Sequence, residues 1–77
     1  MKDARREEIR RVVTLIKEAK SILEGVLDRE QDDFDNMPEE VQNDEEGQRV
    51  EDVVDALEQA ATCCDNAISA CEEVLRD

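Results

Sequence analysis

The sequence predicts an all-α protein: two long antiparallel helices forming a helical hairpin, with a short helical turn in the connector, dimerising into a four-helix bundle. Three observations predict it. Apolar side chains recur at three-and-four spacing through two long runs, the helical period, and strand alternation is absent. A single proline, Pro38, stands between the runs. The apolar stripes are also wider than one hairpin can bury.

The first run carries Ile9, Val12, Val13, Ile16, Ala19, Leu23, Val26 and Leu27, with Phe34 continuing it and Leu15 and Ile22 broadening it. It predicts helix 1 over about residues 3–32. Pro38 pushes Met37 out of the α region and suits a first helical position, so helix 1 should stop before Met37 and a short turn should occupy 38–42. The connector as a whole spans about 33–43. Asn43 and Glu46 have capping-box spacing, which predicts helix 2 over about 44–76 with Gly47 in its first turn, where a helix tolerates glycine best. In that helix Val50, Leu57, Cys64 and Cys71 form one heptad row. Ala60, Ala61, Ala67 and Ala70 leave room for close helix approach.

A chain of 77 residues reads as one domain, 1–77, with a thin core, so self-association is expected. One Phe, no Trp, no Tyr and no His remove the usual aromatic core and the imidazole of acid–base catalysis. No nucleophile–base pair is visible, and a non-enzyme is expected.

The net charge of −13 repels nucleic acid and anionic membranes and attracts basic protein surfaces. It is unevenly spread: residues 28–58 hold 14 acids and two bases, Arg29 and Arg49, whereas residues 1–20 hold seven of the ten Lys/Arg. Such a run is a solvated surface in many acid-rich helices. Its functional reading is a rigid array of carboxylates that imitates phosphates. Asp32, Asp33, Asp35, Glu39, Glu40, Asp44, Glu45 and Glu46 would supply the field, with Phe34 and Met37 as apolar anchors where the fold exposes them. The alternative anion-binding set is Arg5, Arg6, Arg10 and Arg11, which gathered from several protomers would hold phosphate; pairing with Glu7, Glu8, Glu72 and Glu73 competes with that role.

No metal or other cofactor is expected. Twelve positions from Asp28 place Asp28, Glu30, Asp32, Asn36 and Glu39 at EF-hand ligand spacing, but Asp33 replaces the turn glycine. Cys63, Cys64 and Cys71 lack zinc-ligand spacing, and Cys64 and Cys71 stand about 10 Å apart on a helix, too far to bridge. They read as reduced, small packing residues in a cytoplasmic protein with no secretory signal and no membrane-spanning run.

The order Phe34-Asp-Asn-Met-Pro38-Glu, a polar link with one glycine, then an acidic amphipathic helix with Asp55-Ala-Leu-Glu58, resembles a group of small acidic helical-hairpin proteins encoded by bacteriophages and prophages. The resemblance covers roughly residues 24–75. It implies a context in the bacterial host cytoplasm: inhibition of a host antiviral defence or nucleic-acid-handling complex, as anti-CRISPR proteins do. Cys63, Cys64 and Cys71 depart from the alanine, isoleucine or glutamate of such helices. The expectation is a non-catalytic inhibitor with a nucleic-acid-mimicking surface. Its rivals are an oligomeric module that sequesters a nucleotide defence signal through the N-terminal arginines, and a structural or assembly protein of the phage.

Overall fold

The computed structural model describes residues 1–76; Asp77, the last residue of the expected domain, lies outside them. Helix α1 spans Asp3–Asp35, α2 Glu39–Gln42 and α3 Glu45–Leu75, with no strand among the described residues. α1 and α3 pack antiparallel along their lengths, giving a rod of 58 × 15 × 13 Å. The hairpin read from the sequence is present.

Its seam follows a strict heptad. On α1 the positions are Arg6, Ile9, Val13, Ile16, Lys20, Leu23, Leu27, Glu30 and Phe34; on α3 they are Gly47, Val50, Val54, Leu57, Ala61, Cys64, Ile68, Cys71 and Leu75. All are buried or half-buried. Alternating steps of three and four keep one row of each helix facing the other, as knobs into holes require. Only Val13, Val54 and Ile68 are buried apolar side chains among the described residues, and none of them is completely shielded. Each such side chain contributes about 1.5–3 kcal/mol, so one hairpin has a slender core.

The connector is built more tightly than its composition suggests. α1 runs three residues past the expected Asp32 to Asp35, and the backbone N–H groups of Asn36 and Met37 close it on Asp32 O at 3.0 Å and Phe34 O at 3.1 Å. Pro38 is the N-cap of α2 in extended conformation, one place earlier than the expected first helical position. Its carbonyl accepts from the N–H groups of Val41 and Gln42 at 2.9 and 3.0 Å. The Gln42 amide donates to Phe34 O at 2.9 Å and Met37 O at 3.2 Å, tying the turn to the end of α1.

The start of α3 corrects the expected Asn43 cap. Asn43 closes α2 in αR conformation, and Asp44, with extended backbone, caps α3 by accepting from Glu46 N–H at 2.9 Å and Gly47 N–H at 3.3 Å. An N-cap needs that extended backbone, which the one-turn helix α2 denies to Asn43. Gly47 is likewise more than tolerated. It is buried beneath α2, and a Cβ there would stand 2.2 Å from the Gln42 carbonyl oxygen. No side chain fits between those backbones.

At the open end the Arg6 guanidinium donates to the Leu75 carbonyl. This satisfies one of the acceptors a helix C-terminus leaves free. Midway along the rod, Lys20 Nζ meets Asp65 Oδ1 at 2.6 Å. These contacts set the level of one helix against the other.

Candidate functional surfaces

The fold gathers the expected acidic residues at one end. Asp32, Asp33 and Asp35 occupy the last turn of α1, Glu39 and Glu40 the first turn of α2, and Asp44, Glu45 and Glu46 the cap and first turn of α3; all are exposed. Glu39, Glu40, Glu45 and Glu46 lie at helix N-termini, where the dipole favours negative charge. Asp32, Asp33 and Asp35 lie at a C-terminus, where it does not. Asp35 accepts from the Gln31 amide at 3.2 Å, and Asp44 is committed to its cap. Among the described residues, the ion pairs Arg10–Glu7 and Lys20–Asp65 both lie outside residues 28–58. The turn end is therefore a region of largely uncompensated negative charge.

The exposure on which the apolar anchors depend is met only in part. Phe34 and Met37 are half-buried, and Phe34 is a seam residue one heptad beyond Leu27, so its ring helps to close the hairpin. The arginine set is divided. Arg6 is bound to the Leu75 carbonyl, Arg10 pairs with Glu7, and Arg5 and Arg11 are exposed.

The twelve residues counted from Asp28 form no calcium loop, because Asp28 to Asp35 are helical. Among the described residues no group of three His, Cys, Asp or Glu side chains stands close enough to hold a metal ion. A shallow hollow by Glu45, Gln48, Arg49 and Asp52 lies on α3 alone and opens widely to solvent. Its lining brings together no nucleophile and base. The hydrogen bond that Lys20 donates to the Asp65 carboxylate raises the Lys20 pKa above the ordinary lysine value.

A second surface was not separated from the core by the sequence reading. The exposed large apolar side chains are Met1, Val12, Leu15, Ile22, Val53 and Val74, with Leu15 50% and Ile22 69% exposed. Apart from Met1, each immediately precedes a seam residue: Val13, Ile16, Leu23, Val54 and Leu75. One residue back is a rotation of about 100° around the helix axis. The two helices of an antiparallel pair are related by a local two-fold axis perpendicular to the hairpin plane, so the same rotation on both leads to the same side. These residues form one flank.

Small residues at the same offset, Ala19, Ala56, Ala60, Cys63, Ala67 and Ala70, complete it. The opposite flank, one residue after the main seam positions, carries Lys17, Glu24, Gln31, Glu51, Glu58, Asp65 and Glu72. The signal was present in the spacing: two interleaved heptad rows per helix, offset by one.

No known protein family, curated protein or solved structure matches the chain. Among the described residues no helix is long and apolar enough to cross a membrane.

Proposed function

We propose that this protein is a non-catalytic binding module: a hairpin that self-associates into a four-helix bundle through its apolar flank and docks its acidic turn end on the basic, nucleic-acid-binding surface of another protein. The observation that carries the reading is the segregation of charge. Residues 28–58 hold 14 acids against two arginines, and the fold concentrates them in the turn half of the rod on three successive helices.

A helix turn advances about 5.4 Å, so carboxylates on successive turns repeat on the scale of phosphates along a nucleic-acid strand. Gly47, Gln42 and the Asp44 cap hold the turn in one shape. The ordering entropy of the connector is then met on folding and not again on binding. The partner proposed, on the resemblance to phage-encoded acidic hairpins, is a host antiviral defence or nucleic-acid-handling complex, with the protein as its inhibitor.

Affinity capture from a bacterial lysate, followed by competition with duplex DNA, tests this. The expected result is recovery of a nucleic-acid-handling complex that is released by added DNA and by high salt, and lost when Asp32, Asp33 and Asp35 become Asn. Screening within a Debye length of about 8 Å at physiological salt underlies that dependence. A captured partner indifferent to salt, DNA and the three substitutions would overturn the electrostatic docking.

A further inference from the structure

We propose that the flank formed by Val12, Leu15, Ile22, Val53 and Val74 is the interface with a second copy of this chain, and that the two hairpins pack head to tail with their acidic turns at opposite ends. The inference rests on the self-association through this flank in the reading above and adds the axis, the residue pairing and the orientation.

The face comes first. From Val53 to Val74 the α3 row extends about 31 Å, and the rod is 15 Å across. A patch of that length and width, roughly 470 Å², matches the largest apolar patches of monomers, roughly 300–600 Å², which are often functional. Taken on two copies it approaches the roughly 1,000 Å² of a specific interface. Sequence and fold agree on its edges: beyond Val12 the row meets Glu8 and Arg5, and beyond Val26 it meets Arg29 and Asp33.

The occupant follows from the symmetry of the flank about its own midpoint. On α1 the apolar row runs from Val12 to Val26 and centres on Ala19; on α3 it runs from Val53 to Val74 and centres beside Cys63. The Lys20–Asp65 contact shows that these two midpoints lie at nearly the same level of the rod. A two-fold axis at that level, running across both helices, lays each row antiparallel on its own copy. Leu15 then meets the partner's Ile22, Val12 the partner's Val26, and Cys63 the partner's Cys63. The matched pattern is one that a second copy supplies by necessity.

Charge selects between the two symmetric arrangements. Of the net −13, residues 28–58 carry −12 and all the others together −1. An axis along the rod would bring both acidic turns to one end. The axis across it sets each turn beside the nearly neutral open end of the partner, where Lys2, Arg5 and Arg11 are exposed. Like-charge repulsion disfavours the first and the field of the basic ends favours the second. The dimer thereby presents two separate acidic poles.

The test places a nitroxide label on Glu40→Cys, an exposed turn residue, in full-length protein with Cys63, Cys64 and Cys71 changed to Ala, and reads the label–label distance by pulsed electron resonance alongside the sedimentation mass. Head-to-tail pairing predicts a dimer mass and a distance of about 50 Å, twice the rise from Ala19 to the turn. The same label in a Leu15→Glu, Ile22→Glu variant should give a helical monomer with no distance. A dimer with labels within about 30 Å overturns the orientation and leaves self-association standing. A dimer that survives both glutamates overturns the face, and a wild-type monomer overturns both readings together.

Discussion

The two flanks of this hairpin have the same backbone and the same heptad, and they differ in nearly every side chain. One flank sets Val12, Leu15, Ala19, Ile22 and Val26 beside Val53, Ala56, Ala60, Cys63, Ala67, Ala70 and Val74. The other sets Lys17, Glu24 and Gln31 beside Glu51, Glu58, Asp65 and Glu72. A stripe that served only the hairpin would be framed by polar residues on both sides. The difference teaches that about half of the apolar material in these helices stands beside the seam and not in it, which is the material the proposed second copy would cover. It stands beside a core of only three buried apolar residues among those described, little packing for two such long helices.

The comparison breaks most directly on paired substitutions. Leu15→Glu with Ile22→Glu removes two apolar side chains per chain from the flank, four per dimer. At about 1.5–3 kcal/mol each and 1.4 kcal/mol per tenfold, dimer affinity should fall at least about ten-thousandfold by sedimentation equilibrium. Lys17→Glu with Gln31→Glu on the polar flank should leave the dimer mass unchanged.

The next largest effect contrasts the two glycines. Gly47→Ala drives a methyl group into the Gln42 backbone and should destabilise by about 1–3 kcal/mol in chemical denaturation. Gly25→Ala, in open space on the exposed face of α1, should stabilise by about 0.5–1 kcal/mol. Asp44→Ala removes the α3 cap and should cost about 1 kcal/mol, whereas Asn43→Ala, at the position the sequence pattern favoured, should cost less.

The smallest effect belongs to Lys20. Its folded-state pKa is raised by Asp65, so the stabilisation from this pair is complete below the unfolded lysine pKa and is lost as pH rises through the folded value, above the ordinary 10.5. Stability should therefore be flat in this contribution from pH 6 to 9. Lys20→Met should leave the denaturation midpoint close to that of the parent protein, because the pair is solvated.

The helices and the hairpin were legible because the apolar period is long and regular, and Pro38 marks the break. The details of the connector were not. Asn43 and Asp44 are both good caps in isolation, and only the single turn of α2 decides between them. Gly47 reads as a tolerated residue until α2 is laid across it. The acidic end was legible as composition, and the structure adds that three helices converge there. The exposure that an anchor role for Phe34 and Met37 requires was not legible, because exposure is a property of the packed hairpin, which half-buries both. The two flanks stayed merged for a related reason: a wide stripe and two adjacent stripes share one residue list, and only the identity of the seam separates them.

The most direct test of the account is the mass of the unmodified protein in solution. Sedimentation equilibrium in reducing buffer, over a range of concentrations, should return twice the 8.8 kDa of one chain, with helical circular dichroism unchanged across the range. A mass of 8.8 kDa at every concentration, with the helices intact, would contradict it: the apolar flank would then stand open to water on a stable monomer.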